Sequence, residues 1–253
     1  MLVEINGKGG GFCDQVKRGK LRCPLRTHPR SEDVVTSYLW GALQCINARW
    51  WLPDLLNTAL GEGRFRRKIF RRLNVSLWER QTGIPKYSTP WSESATEVDV
   101  VVKWENPPTT VFVEMKYGSP LAKSTAASST NSQFPNDQLI RNVRVGLWKC
   151  DWFQGPRLFQ TKPRNFYTVV MAPNTGNELV AKYQSNQVVR SSLPNSKELA
   201  ALPAKPFVGE LSFHQLIQIL RKNSRHFTRS EVLLADQLKS YLAHKLYQAR
   251  GIE

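Results

Sequence analysis

The stretch from Glu97 to Lys116 constrains this chain more than any other. Two β-branched, apolar runs flank Asn106-Pro107-Pro108, the pattern of an antiparallel hairpin. With Asn106 and Pro107 at the tip, Asp99 pairs across from Glu114, and Glu97 across from Lys116. Side chains alternate along a strand, so these four charged residues share one face. Val98, Val100, Val102, Val111 and Val113 take the other face, while Val101 and Phe112 add apolar surface beside the charges. Unpaired carboxylates are costly on strands this apolar. A cation held between them is one resolution. The plainer alternative pairs Glu97 with Lys116 and leaves Asp99 in solvent at a sheet edge.

The rest of the chain supplies an α/β frame for that hairpin. A helix is predicted from Ser31, a good N-cap, with Glu32 and Asp33 in its first turn. Its apolar stripe runs Val34, Val35, Tyr38, Leu39, Ala42, Leu43, Ile46, and Glu32 lies on the flank of that stripe, within reach of an adjoining site. Trp50-Trp51-Leu52-Pro53 leads into a second helix, stopped by Gly61 and Gly63. Phe65, Ile69, Phe70 and Leu73 then suggest a third helix whose remaining surface carries Arg64, Arg66, Arg67, Lys68, Arg71 and Arg72. Val75 to Arg80 reads as the strand before the hairpin, and Lys123 to Gln133 as a small, polar loop after it. A helix near Asn136 and a strand from Phe166 to Met171 follow. Pro173 to Pro206 is mostly polar, with a short strand expected at Gln187 to Arg190. One closing helix starts near Ser212; the other opens with a capping box from Thr228 to Glu231. Residues 1–30 read as a basic, loosely ordered arm and 31–253 as one domain.

Charge narrows the partners. There are 36 Lys and Arg against 20 Asp and Glu, for a net +16, which favours a polyanion: DNA first, RNA as the alternative. Repulsion among the six cations from Arg64 to Leu73 favours an anion nearby and makes Arg66, Arg67, Lys68 and Arg71 candidate phosphate contacts. Cys13, Cys23, Cys45 and Cys150 contain no C-x-x-C pair, so free thiols are expected rather than a zinc finger. Trp50, Trp51, Trp148 and Trp152 are expected to pack rather than stack on bases, and His214 and His226 to lie at the surface. No apolar run reaches the length of a membrane span and the N-terminus shows no secretory signal, so an intracellular, cytoplasmic protein is expected.

The residues themselves suggest the chemistry. A hard cation such as Mg²⁺ takes oxygen ligands: Asp99, Glu114, the Met115 carbonyl, and Glu32 directly or through water. Lys116 would set an ammonium beside a metal-activated water, an arrangement suited to hydrolysing a phosphodiester.

Asp99, then Glu114-x-Lys116 on the next strand, a preceding helix bearing Glu32 and a following helix with Gln138-Leu139-Ile140-Arg141 together resemble the PD-(D/E)xK nuclease superfamily. The α-β-β-β-α-β order from Ser31 to Met171 resembles that family's restriction-endonuclease-like core, a mixed central sheet flanked by helices. Val98 stands where many members carry proline. The resemblance implies an Mg²⁺-dependent endonuclease, with Mn²⁺ able to substitute. Asp99 and Glu114 would be metal ligands, Lys116 the residue serving the water, Glu32 an auxiliary acid, and Gln138 and Arg141 polar groups beside the site. Arg144, one turn further, would join Arg141 in holding nucleic acid. A partner protein would supply target choice, in transposition, phage defence or repair. The competing function is an inactive nucleic-acid-binding or assembly module on the same fold.

Overall fold

The computed structural model describes residues 31–61, 63–84, 94–124, 134–153, 162–193, 202–203 and 205–250. The expected basic arm, Cys13 and Cys23 lie outside them, as does most of the polar loop after Lys123. Two helices, α1 (Glu32–Gln44) and α2 (Ala48–Leu60), precede three strands, β1 (Arg71–Gln81), β2 (Thr96–Glu105) and β3 (Thr109–Met115). Then come α3 (Gln138–Lys149), β4 (Asn165–Ala172), the short α4 (Glu178–Tyr183) and α5 (Asn186–Ser191), β5 (Val208–Ser212), α6 (Phe213–Asn223) and α7 (Arg229–Arg250).

The strands form one mixed sheet in the order β1-β2-β3-β4-β5, antiparallel as far as β3 and parallel from β3 to β5. Strands buried on both faces need apolar side chains on both, which is why β3 and β4 read as near-continuous apolar runs. On one face Val100, Val102, Val111, Val113, Val169 and Met171 pack with α1, α2, α6 and α7. On the other, Val101, Phe112, Phe166 and Val170 pack with α3, α4 and α5. Gly146 lets α3 lie directly on the Phe166 ring: a Cβ there would stand 2.0 Å from it.

The hairpin has the register its sequence implies. The β2–β3 ladder runs from Trp104↔Thr109 to Val100↔Val113, the register in which Asp99 and Glu114 come next on their strands; there the Asp99 side chain takes over, accepting the Met115 N–H. Val98 departs from expectation, since it packs in the α3-side cluster rather than with Val100.

Three local expectations are corrected. Residues 65–70 form no helix; Arg71 to Leu73 already belong to β1, and Ile69, placed on the apolar stripe, is 79% exposed. Gln187 to Arg190 lies in helix α5, where the Ser185 side chain accepts from the Val188 amide and starts a helical turn. Strand β5 was not anticipated; its five residues, Val-Gly-Glu-Leu-Ser, are too short to show a period. The cap residues fare better. Ser31 caps α1, Ser212 closes a full capping box on α6, and Thr228 and Glu231 exchange bonds at the start of α7. Among the described residues, no helix is long and apolar enough to cross a membrane.

Candidate metal and catalytic centre

Where β2 begins and β3 ends, the sheet brings two carboxylates together. Asp99 is 7% exposed and Glu114 2%, both held there by strands with apolar neighbours on each side. Asp99 Oδ2 accepts the Met115 N–H at 2.9 Å, which ties the start of β2 to the end of β3. Lys116, 9% exposed, follows at once, its amide donating to the Met171 carbonyl of β4 at 2.8 Å. Its ammonium lies 2.8 Å from Glu114 Oε1 and 3.1 Å from Glu32 Oε1.

Glu32 reaches this point because Ser31 begins α1 at that end of the sheet. Its second oxygen accepts the Tyr117 N–H at 2.9 Å and the Ser119 hydroxyl at 3.3 Å. Glu32 therefore clamps the chain just after β3 and holds Lys116 against Glu114. The expected Glu97–Lys116 pair does not form: Glu97 is exposed and paired across from Arg80, and Lys116 turns to Glu32 and Glu114 instead.

Helix α3 completes the cluster with its first turns. Asp137 caps it, accepting the Ile140 N–H at 2.9 Å, which aims Gln138 at the sheet. Gln138 Nε2 donates to Glu114 Oε1, and one turn on, Asn142 Nδ2 donates to Glu114 Oε2 at 2.9 Å. Asn142, fully buried, also accepts the Thr96 hydroxyl at 3.2 Å. Asn142 was not anticipated from the sequence; its signal was the four-residue spacing from Gln138 on one helix face. Neither was Tyr117, whose hydroxyl donates to the Lys245 carbonyl of α7 at 3.2 Å while the Lys245 ammonium lies over its ring.

The electrostatics follow from burial. Desolvation first, then repulsion from Asp99, pushes the Glu114 carboxyl up to about 8, against the pull of Lys116. Lys116 moves further above its ordinary value, because Glu114 and Glu32 outweigh its own desolvation. Asp99, Glu114 and Glu32 thus share one ammonium, and without a further cation the mismatch is met by keeping the proton on Glu114. Among the described residues no group of three or more His, Cys, Asp or Glu forms a ready cage for a metal. The donors that fit are fewer: Asp99 and Glu114 with the Met115 carbonyl, hard oxygens without His or Cys, suited to Mg²⁺ or Mn²⁺ that keep their own waters. Glu32, committed to Lys116 and Tyr117, sits as an auxiliary.

The basic candidates divide into three places. Arg141 lies on the first turns of α3, 8% exposed and donating to the Ser94 hydroxyl at 3.0 Å. Arg144 does not serve as a surface cation: it is 3% exposed and donates to the Pro135 and Ser192 carbonyls at 2.6 and 2.9 Å, fastening α3 to α5. Arg66, Arg67, Lys68 and Arg71 lie at the far end of the sheet, Lys68 donating to the Asn106 carbonyl at the hairpin tip. From Thr109 to Glu114 is five residues along β3, about 17 Å at the rise of a strand. Arg67 is occupied, donating to Asn223 at 2.7 Å and lying over Trp50, which stacks on His226 at 4.3 Å. Trp51 is buried in the core, and the Cys150 thiol is buried while Cys45 is exposed.

Comparison with protein-family models, curated proteins and solved structures finds no match to this chain.

Proposed function

We propose that this chain is an Mg²⁺-dependent nuclease with a restriction-endonuclease-like core, hydrolysing phosphodiester bonds of DNA. One observation carries the reading: Asp99 and Glu114, buried at the ends of adjacent strands, converge with the Lys116 ammonium 2.8 Å from Glu114. Buried carboxylates gathered at a strand end, one with its pKa raised by burial and by its neighbour, support a working site over a stabilising pair. The likeness to PD-(D/E)xK nucleases extends to Glu32 on the preceding helix and Gln138 on the following one.

Asp99, Glu114 and the Met115 carbonyl would hold the ion, which when bound lowers the pKa of a water and neutralises charge on the phosphate. Lys116 stays protonated at neutral pH, so it orients and donates rather than accepting a proton. Gln138 and Asn142 fix the Glu114 carboxylate in rotation, and Glu32 fixes Lys116. Arg141, 8% exposed and bonded to Ser94, would turn its guanidinium to a phosphate oxygen only as substrate enters. Hydrolysis breaks the bond from phosphorus to the 3′ oxygen, leaving a 5′-phosphate and a 3′-hydroxyl. Lacking a separate recognition domain in the described residues, such a nuclease would take its target from a partner protein, as in transposition, phage defence or repair.

Supercoiled plasmid, linear DNA and RNA, each with Mg²⁺, Mn²⁺ or chelator, test this with wild type, Asp99→Ala and Lys116→Ala. Cutting that needs the metal and is lost in both variants supports the reading; equal cutting by all three proteins refutes it. The second reading, a binding module, is favoured by the basic surface lying away from the carboxylates. It requires DNA binding with no cleavage under any of these conditions.

A further inference from the structure

We infer that the hairpin tip carries a second, non-catalytic site for the phosphodiester backbone of nucleic acid, at the opposite end of β3 from Glu114. A cavity of about 520 Å³ opens there, lined by Arg71, Arg72, Lys103 and Arg164 with Glu105 as its one carboxylate. Arg72 is paired with Glu105 at 3.0 Å and Lys103 with Glu79 at 2.6 Å. Arg71 and Arg164, both exposed, have no hydrogen-bond or ion-pair partner from their side chains among the described residues. Two guanidiniums left uncompensated over a concave floor repel each other and suit a ligand with anionic oxygens at regular spacing.

The backbone is bent to make this arrangement. Between Arg71↔Glu105 and Asn74↔Lys103 the β1 strand carries one residue more than β2, a bulge. Arg72 within it has φ +51°, a left-handed conformation that costs an arginine about 1 kcal/mol or more. Such bulges re-aim side chains, and here the two arginines of the bulge both line the cavity. A further sign is Trp104, 3% exposed and shared by this cavity and the neighbouring one lined by Arg66 and Lys68. Its indole N–H has no acceptor among the described residues. Lys68 lies over the Phe70 and Trp104 rings at 5.4 and 5.8 Å, so its charge is held in place at the rim. Because Trp104 is buried, the site reads phosphates and not bases, and gives affinity without sequence preference. At about 3.4 Å per nucleotide along a strand, the separation from Glu114 corresponds to roughly five nucleotides.

Binding in chelator, where no cleavage occurs, separates this site from the nuclease reading. Anisotropy of a labelled 20-base-pair DNA and a single-stranded RNA of 20 nucleotides is followed against salt for wild type, Arg71→Ala with Arg164→Ala, and Lys182→Ala with Lys239→Ala. The two double variants lose the same charge. The expected result, on either polymer, is at least a tenfold weaker complex for the arginine pair. Its slope of log affinity against log salt is reduced by about 1.8 on duplex DNA, or about 1.4 on the single strand, the value for two lost phosphate contacts. The lysine pair should change affinity less than threefold. Equal losses in the two double variants, or no loss in either, overturn the site. Thermal melts of all proteins establish that the surface changes leave the fold intact. If the arginine pair loses binding while wild type never cuts DNA with Mg²⁺, the nuclease reading fails and this site stands.

Discussion

Replacing Glu114 by Gln tests directly whether burial governs the charge of this carboxyl. The side chain is 2% exposed, and its carboxyl titrates at about 8 in the folded protein against an ordinary 4.5. A carboxyl whose folded pKa lies above its unfolded one binds its proton more tightly when folded. Stability from this group is therefore full below pH 4.5 and falls as pH rises to about 8. At 1.36 kcal/mol per pH unit, the interval withdraws as much as about 5 kcal/mol, a ceiling that repacking and water entry lower. Lys116 stays charged throughout this window and adds no slope. Glutamine has the same shape, can still meet Gln138 and Asn142, and cannot ionise. Urea unfolding without metal, between pH 5 and pH 9, should show Glu114→Gln equal to or weaker than wild type at pH 5 and stronger by at least about 2 kcal/mol at pH 9. Added Mg²⁺ at pH 8 should stabilise wild type and leave the variant unmoved. A difference between the two proteins that stays constant with pH would mean that Glu114 titrates as an exposed acid does, and the link from burial to raised pKa would fall.

Other consequences are nearer to hand. Asn142→Leu removes the amide on Glu114 Oε2 and the acceptor of the Thr96 hydroxyl, and should cost about 1–3 kcal/mol in urea unfolding. Arg144→Met should lower stability by a similar amount, about 1–3 kcal/mol, by stranding the buried Ser192 carbonyl and the part-buried Pro135 carbonyl. It should leave the salt slope of DNA binding unchanged, as anisotropy would show. Gly209→Ala places a Cβ 2.0 Å from the Ala59 carbonyl oxygen, backbone that cannot step aside. A loss of about 1–3 kcal/mol follows, read as a drop in melting temperature.

The hairpin was legible in the sequence because several independent signals agreed. Period-two alternation, β-branched residues and Asn106-Pro107-Pro108 fix one register, and a slip of one residue would turn the valines of one face into the other. That register alone placed Asp99 beside Glu114. Glu32 was reachable too, since a capping serine located the helix start to the residue. What escaped were features set by tertiary contact. Phe65, Ile69, Phe70 and Leu73 have helical spacing, yet the bulge at Arg72 pulls the chain into β1 and leaves Ile69 outside. Val188 and Val189 suggested a strand, and a serine cap prevailed. Arg144 looked like its neighbour Arg141, but α5 packs over it, and nothing in a helical arginine announces which carbonyls will cover it. Asn142 is an ordinary residue in a helix until β3 sets a carboxylate beneath it.

Whether Asp99 and Glu114 hold a divalent cation can be tested without knowing the substrate. Electron paramagnetic resonance of Mn²⁺ titrated into the protein at pH 8 counts bound ions directly, in wild type, Asp99→Asn and Glu114→Gln. Wild type should bind one ion, displaced by excess Mg²⁺, and each variant should bind it at least tenfold more weakly. Mn²⁺ held equally by all three proteins, or by none, would disprove the metal centre.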